Sequence, residues 1–560
     1  MEGLSSGIYI PTEDAGEGTQ VNFSQRMQGA PDLSLLPNHN YGLGRNSQDF
    51  GCRSQERGKL FNDPVHGHFR LDPIAVKIID TPQFQRLSDL KQLGCTYYVF
   101  RGASHNRAEH SMGVAHLAYT LANQIYQLQG KDLDITRSDV KCAEVAGLVH
   151  DLGHGPYSHV FDRFMTRMNR DWQHERMSVE LLEDILGGEQ SHTISRDLSD
   201  EEIKHIEAMI TCEKGGQPAP SGKRWLYEIV ANNRNGLDVD KYDYLQRDSM
   251  YCNTKISVDI KRIFSFVKVL DDELCYKYSE YHNIYEVYAT RARMFRNVYL
   301  HRKANAVEHM IVDALVGADP VFRLADATEN AQDFAKLDDS ILKAIEYYGT
   351  NRPGFGSAAI DADDDGETSV RRAQAILKRL RKRDLYKFVE EFLVPQDVLA
   401  NDRWVTPTPA DIIAAKGSHL LRAEDIIISE VKVDLTKGDR NPMDNVSFFD
   451  YPESTEKRKV PPHQISTMFP ICNRELWCRV FTRDSHPDVV RATQEAAREF
   501  VKRRFGGTVQ MATPIRRKRP INLPNGISAN GVLQREDSNP RKRSLSQALD
   551  AAEHYQQLSQ

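Results

Sequence analysis

The chain has little that would place it in a membrane. No apolar run approaches the roughly eighteen residues of a spanning helix. The N-terminus lacks the charged-then-apolar order of a secretory signal, and no membrane partner is expected. The eight cysteines are scattered and form no CxxC pair, a usage that fits reduced thiols in a cytosolic or nuclear protein. Net charge is only −6 over 560 residues, too small for the whole chain to bind polyanions by bulk electrostatics. Internal repeats are absent, and long alternating apolar–polar runs are scarce before residue 340. Helix is therefore the expected main element there.

What is present is a soluble globular composition, 40% hydrophobic and 27% charged, in a chain long enough for two lobes. Residues 1–52 are rich in Gly, Ser, Asn and Gln and read as a disordered arm. A dense helical pattern begins near Lys59, and the expected catalytic core spans 53–350. Within it, Met112, Ala115, Tyr119, Ala122 and Tyr126 recur at three-four spacing toward Gly130, predicting an amphipathic helix with these residues on its apolar face. Asp240, Tyr244 and Asp248 are spaced so that one helical face carries them all, and Arg291, Phe295 and Tyr299 repeat that spacing. The acidic run 361–367 predicts an exposed loop over 351–370. A basic helix-like segment from Arg371 to Arg383 opens a smaller lobe over 371–505, with strands expected at 426–433 and 475–481. Beyond it, the polar and basic stretch 506–560 reads as a disordered tail. The fold class is mainly α: a helical catalytic core with a smaller α+β C-terminal lobe.

The chemistry concentrates in His150-Asp151-Leu152-Gly153-His154-Gly155-Pro156-Tyr157-Ser158-His159. An imidazole and a carboxylate stand side by side in one expected helical turn, and two more histidines follow. His110 and Asp240 supply matching groups from two distant segments. The pattern H…HD…D, drawn from three segments, is the signature of the HD hydrolases. His110, His150, Asp151 and Asp240 are thus candidate metal ligands, although any one alone reads as a core histidine or a helix cap. Mixed nitrogen and oxygen donors suit a first-row or magnesium-like ion, and Zn, Fe, Mn and Mg all stay open. Such an ion lowers the pKa of bound water and holds an anionic substrate oxygen. His154, His159 and His174 are imidazoles able to give a proton to a leaving alkoxide, and Asp162 and Glu175 could orient one. Arg107, Lys241 and Arg291 are the cations that a polyphosphate needs.

Further motifs flank this set in a fixed order: Asn62-Asp63-Pro64-Val65-His66-Gly67-His68, Asp80-Thr81-Pro82-Gln83-Phe84-Gln85-Arg86-Leu87, Lys91-Gln92-Leu93-Gly94, Gly102-Ala103-Ser104-His105-Asn106-Arg107, and Asn235-Gly236-Leu237-Asp238-Val239-Asp240-Lys241-Tyr242-Asp243-Tyr244. Together they closely resemble the SAM-and-HD-domain deoxynucleoside triphosphate triphosphohydrolase family over roughly 57–500. No SAM domain is expected in the short polar arm. The resemblance implies cleavage of a dNTP to a deoxynucleoside and inorganic triphosphate, controlling dNTP pools, with Mg accompanying the nucleotide. It implies that His110, His150, Asp151 and Asp240 hold the metal. His159 would be the general acid for the 5′ oxygen, with His154 and His174, helped by Asp162, shaping the site. Asp238 would position a second ion or the attacking water. Arg107, Lys241, Tyr244 and Arg291 would hold the triphosphate, Gln92 and Asp248 the 3′-hydroxyl. Leu93 and Tyr299 would pack the sugar and exclude a 2′-hydroxyl.

The same resemblance implies a homotetramer, a dimer when unliganded, assembled by GTP and dNTP activators. Lys59, Leu60, Asp80 and Gln85 match the guanine site, and Asn62, Arg262, Lys277, His301 and Arg302 the adjoining dNTP site. Ser88 stands where the family has an arginine, Ser279 where it has a lysine, and the segment around Leu274-Cys275 is expected to be shortened. Lys457-Arg458-Lys459 only approximately matches the family's basic contacts. Cys275 is retained among redox cysteines that Leu270 and Thr482 otherwise replace, so no disulfide switch is expected. Thr513-Pro514 has the form of a proline-directed phosphosite. The basic clusters 516–519 and 541–543 suggest nuclear import, with a cytoplasmic pool also allowed, or a single-stranded nucleic-acid contact. Two other functions compete: an HD phosphodiesterase or nucleotidase, and a single-strand nucleic-acid-binding protein with secondary hydrolase activity.

Overall fold

The computed structural model describes residues 58–188, 191–194, 196–211, 222–349, 364–401, 403–461, 472–506, 509 and 511. The arm 1–52, Thr513 and both basic tail clusters lie outside the described residues.

The core is helical, as its pattern predicts. The helix Arg107–Gln129 begins where the Asn106 side chain accepts the Glu109 N–H at 3.0 Å. The helix Arg137–Val149 begins with a Thr136–Asp139 capping box. The two pack closely along each other: a Cβ on Gly147 would stand 3.2 Å from Ala115 Cα. The buried stripe of the first helix therefore runs through Val114, Ala115, Leu117, Ala118, Leu121, Ala122 and Ile125. Tyr119, expected on that face, is 41% exposed, because it falls beside the buried stripe rather than on it.

A long helix, Arg302–Phe322, runs through the core and packs against the helix Asp364–Arg381. The second of these begins inside the stretch expected as an acidic loop. Its buried face, Ala373, Leu377 and Leu380, joins the main core, while Arg371, Arg372 and Lys378 face solvent. The basic segment that opens the expected 371–505 lobe is thus a helix of the core by its packing.

Strands are few: β1 (Leu60–Asp63), β2 (Gly67–Arg70), β3 (Val267–Leu270), β4 (Glu273–Lys277), β5 (Lys387–Leu393), β6 (Ile426–Asp434), β7 (Ser447–Phe449) and β8 (Arg474–Thr482). β1 and β2 form an antiparallel hairpin, β7 pairs in parallel with β4 beside β3, and β8 lies between β5 and β6. The β3–β4 connection is a two-residue turn, Asp271 and Asp272, with φ of 47° and 57°. That left-handed pair matches strand twist and accounts for the shortness expected near Cys275. The strands expected at 426–433 and 475–481 are β6 and β8. One face of their sheet packs on the helix Pro487–Phe505 through Val489, Ala496 and Val480. Val431, Val433 and Phe481 enter the main core from the other face. No helix among the described residues is long and apolar enough to cross a membrane.

Candidate metal centre and active site

His110 projects from the first turn of Arg107–Gln129, and His150 follows the last residue of Arg137–Val149 as its C-terminal cap. The helix stops there, so His150 and Asp151 occupy a turn rather than a helical turn, which corrects the expectation for that pair. The reason lies just downstream. A Cβ on Gly153 would stand 2.1 Å from the His174 carbonyl oxygen, so only glycine lets this turn lie against the helix His174–Gly187. Asp240 comes from the first turn of Val239–Tyr251.

These elements bring the expected ligands together. His110 Nε2 lies 3.1 Å from Asp240 Oδ1 and 3.5 Å from Asp151 Oδ2, and His150 Nε2 lies 3.4 Å from Asp151 Oδ1 and 3.7 Å from Asp240 Oδ1. Neither Nε2 has a hydrogen-bond partner of acceptable geometry, and both are buried. Their other nitrogens are held from behind: His110 Nδ1 is 2.8 Å from Asp243 Oδ2, and His150 Nδ1 is 2.9 Å from the Gly147 carbonyl. Each ring is thereby turned with Nε2 inward, the arrangement by which imidazoles are presented to a cation. Two nitrogens and two carboxylates around one point fit a divalent ion. Burial raises the pKa of Asp240, but the imidazoles of His110 and His150 beside it hold it below the usual carboxylate range. Burial opposes protonation of His110, yet the neighbouring Asp240 and the bond to Asp243 push it up to about 10.

The remaining histidines gather beside this point. The His154 ring stacks on His174 at 3.9 Å between centroids, and its Nε2 is 3.3 Å from Asp151 Oδ1. Burial and the Arg107 charge push the pKa of His154 well down, and burial lowers that of His174. His159 opens the helix His159–Arg167 with a side chain 70% exposed, its Nδ1 2.8 Å from Asp162 Oδ2. Asp162 was expected to help His174, but it stands 4.0 Å from that ring and is held by His159 and by Trp172 Nε1 at 3.0 Å. Glu175 lies 3.7 Å from His174 Nε2. The loop before His159 is over-determined. Tyr157 and Ser158 have φ of 61° and 57°, a costly conformation for side-chain residues. Asp339 takes the Tyr157 N–H at 2.6 Å, and Arg86 donates to the Leu152 and His154 carbonyls at 3.1 and 2.6 Å.

A cavity of about 470 Å³ opens on the histidines and carboxylates, and Gln92, Leu93, Arg107, Tyr244, Asp248 and Tyr299 line it. Tyr299 donates to Asp248 Oδ2 at 2.7 Å, and His105 holds the other oxygen at 2.7 Å. Gln92 Oε1 is buried without a partner. The expected phosphate cations are already engaged. Arg107 bonds Asp151 and Ser158, Lys241 Nζ lies 2.8 Å from Asp238, and Arg291 donates to the Asp434 carbonyl at 2.9 Å. Lys241 lines an adjoining cavity of about 270 Å³ with Asp238, His150 and Asp240. Arg291 lines neither of these two; its guanidinium stands over the Phe295 ring and bonds Tyr244, which lines the first. Asp238 departs from its expected role. It caps the helix Val239–Tyr251, and its oxygens bond the Lys241 and Asn232 N–H groups and Lys241 Nζ, leaving little free capacity for an ion or a water.

The expected activator residues are spread over the surface. Lys59, Leu60, Asn62, Asp80 and Gln85 are exposed, with Gln85 donating to the Ile79 carbonyl at 2.8 Å. Arg262 pairs with Glu280, and Lys277 lies over the Phe266 ring. His301 and Arg302 line a cavity of about 870 Å³ with Lys303, Arg383 and Lys387. Lys457, Arg458 and Lys459 are paired with Glu273 and Asp450. Cys275 is buried.

Sequence reasoning missed the shell behind the ligands, namely Asp243, Arg247, Asp63 and His66. One signal existed: Asp240, Asp243 and Arg247 share a helical face at three-four spacing.

Residues 107–248 match the HD domain family, a span that begins at Arg107 and ends at Asp248. The chain is 36% identical over 456 residues to the deoxynucleoside triphosphate triphosphohydrolase SAMHD1 homolog of Dictyostelium discoideum, covering 81% of this chain and 82% of that protein. It is 36% identical to the deoxynucleoside triphosphate triphosphohydrolase SAMHD1 of Gallus gallus, covering 80% of this chain and 77% of that protein. Against that of Homo sapiens it is 34% identical, covering 79% of this chain and 72% of that protein. At that identity over that span, the chain belongs to the SAMHD1 family of deoxynucleoside triphosphate triphosphohydrolases.

Proposed function

We propose that this protein hydrolyses deoxynucleoside triphosphates to deoxynucleoside and inorganic triphosphate. One observation carries the reading: the buried Nε2 atoms of His110 and His150 face the carboxylates of Asp151 and Asp240, and His110, Asp151 and Asp240 line a nucleotide-sized pocket. The names of the relatives point to the same reaction. A divalent ion held by His110, His150, Asp151 and Asp240 supplies Lewis acidity toward water and a phosphate oxygen. Zn, Fe, Mn and Mg all suit this donor set.

The chain's own groups do the rest. His159, backed by the Asp162 carboxylate at 2.8 Å, gives the proton to the departing 5′ oxygen. His154 and His174, both held toward the neutral form, shape the pocket beside it. Arg107, Lys241 and Arg291 hold the triphosphate with Tyr244, and the carboxylates they now engage keep them oriented until it arrives. Gln92 and Asp248 take the 3′-hydroxyl. Leu93 and the Tyr299 ring, pinned by Asp248, leave a 2′-hydroxyl without room or partner. Asp238 serves by anchoring Lys241.

The proposal extends to regulation. GTP and dNTP, with Mg, bind at Lys59, Leu60, Asp80 and Gln85 and at Asn62, Arg262, Lys277, His301 and Arg302, and draw dimers into a homotetramer. The basic tail directs the chain to the nucleus or holds single-stranded nucleic acid, and Thr513 is its phosphosite. The core test incubates the protein with dGTP, and with dCTP with or without GTP, in Mg²⁺ or Mn²⁺, and resolves products by anion exchange. Tripolyphosphate plus deoxynucleoside is expected, with dCTP turnover dependent on GTP. Stepwise loss of single phosphates, or no turnover, would move the reading to a phosphodiesterase or a binding protein.

A further inference from the structure

The β1–β2 hairpin is lightly attached to the protein. Leu60, Asn62, Pro64, Gly67, His68 and Arg70 are exposed along it, while Asp63 and Phe69 are buried. Asp63 has two tasks. Its Oδ1 accepts the Val65 and His66 N–H groups at 2.8 Å each, which shapes the turn and sets where His66 stands. Its Oδ2 accepts from Arg247 Nη1 at 2.8 Å.

Arg247 is wholly buried and spends its other donors on Asp243, at 2.8 and 2.9 Å. His66 Nε2 reaches the same carboxylate, 2.6 Å from Asp243 Oδ1. Asp243 Oδ2 in turn lies 2.8 Å from His110 Nδ1. Asp243 thus joins Arg247, His66 and the back of the His110 ring. The space around it is closed: a Cβ on Gly113 would stand 2.0 Å from Asp243 Oδ1 and 2.5 Å from Arg247 Nη2. The carboxylate is held by Arg247 on its own helix and by two groups of the hairpin, His66 directly and Asp63 through Arg247.

We propose that Asp63 and His66 are positioning residues for the metal ligand His110, so that the β1–β2 hairpin sets how well the centre holds its ion. This rests on the metal-site reading above. Losing His66 leaves one lone-pair direction of Asp243 open, and the His110 ring then gains freedom that the bound ion must remove. Groups at this remove from a metal typically change its affinity by about ten- to a hundredfold.

The test uses the full chain, stripped with a chelator and titrated with Mn²⁺ while free Mn²⁺ is followed by electron paramagnetic resonance. Wild type is compared with His66→Ala, His66→Gln, Asp63→Asn and His68→Ala. His66→Ala and Asp63→Asn are expected to weaken Mn²⁺ about tenfold. His66→Gln, whose amide keeps a donor toward Asp243, is expected to restore most of that loss, and His68→Ala, exposed on β2, to change nothing. A purely structural role would lower melting temperature without this rescue pattern in affinity. Folded His66→Ala and Asp63→Asn proteins that bind Mn²⁺ as wild type does would overturn the proposal. If Asp63→Asn does not fold, the His66 pair decides alone. Wild type that binds no Mn²⁺ sinks the metal reading and this inference together. Unaltered binding in the variants sinks only the inference.

Discussion

Two regions of this molecule concentrate charge, and they balance it in opposite ways. Behind the metal ligands, Arg247 and Asp243 have fully buried side chains and Asp63 nearly so, and each is matched at 2.8–2.9 Å by an opposite charge. In the cleft around His301 and Arg302, cations line about 870 Å³ beside Tyr386 and Phe388, and several remain open to solvent. Arg302 keeps a side chain 44% exposed although it pairs with Glu391, and Lys387 reaches Asp384 only at 3.4 Å. The difference follows from desolvation. A charge taken out of water must find its complement within the chain, whereas a charge at a surface can wait for one. The first region is therefore finished before any ligand arrives. The second has donors to spare, as an anion-binding cleft requires.

The comparison breaks most visibly at the ligands. Asp240→Asn removes one carboxylate from the point where His110 and His150 converge, and tripolyphosphate release from dGTP is expected to fall roughly a thousandfold or more. Retained turnover in a metal-loaded Asp240→Asn protein would place the chemistry elsewhere. Arg247→Met tests the finished network itself. It leaves the Asp243 and Asp63 carboxylates buried without their cation, and unfolding free energy is expected to drop by about 3–5 kcal/mol in urea titration. A loss below about 1 kcal/mol would mean that water replaces the guanidinium and that the region is not closed.

The two regions also differed in how far they could be read from the chain. His110, His150, Asp151 and Asp240 were legible because their residue types and order are constrained by coordination. The strands β6 and β8 and the helix carrying His110 followed from periodicity. Asp63 and His66 left no such trace, since their bonds to Arg247 and Asp243 span 184 and 177 residues and a polar pair at that range has no period. Tyr119 was misplaced because a three-four stripe fits two adjacent faces, and only tertiary packing chooses between them. Asp238 took its expected role from the resemblance, but an aspartate just before a helix is also a cap, and its saturation by Lys241 and Asn232 appears only in three dimensions.

The cleft should respond differently from the network. Lys303→Glu with Lys387→Glu reverses two cations that line it. Nucleotide affinity there is expected to weaken by about tenfold or more, read with a fluorescent dNTP analogue, while urea stability stays within about 0.5 kcal/mol of wild type. An equal loss of stability would erase the contrast between the two regions.

The smallest effect sharpens the rule behind the comparison. Glu144 lies on the same helix that delivers His150, buried, with the Asp72 N–H 2.8 Å from Oε1 and no cation bonded to it. Burial pushes its carboxyl up to about 8, so at neutral pH it carries a proton where Asp243, with a cation, does not. The native state therefore binds this proton more tightly than the unfolded chain does. Its stabilising contribution is full below the ordinary glutamate value, and it is lost as pH rises from there through about 8. Glu144→Gln mimics the protonated form, keeps an acceptor for Asp72 and cannot ionise. Its unfolding free energy should stay near that of wild type at about pH 5 and exceed it increasingly toward pH 9, in urea titrations across that range. Curves for the two proteins that run parallel would mean that Glu144 is ionised throughout, and that a carboxylate can be buried in this core without a cation beside it.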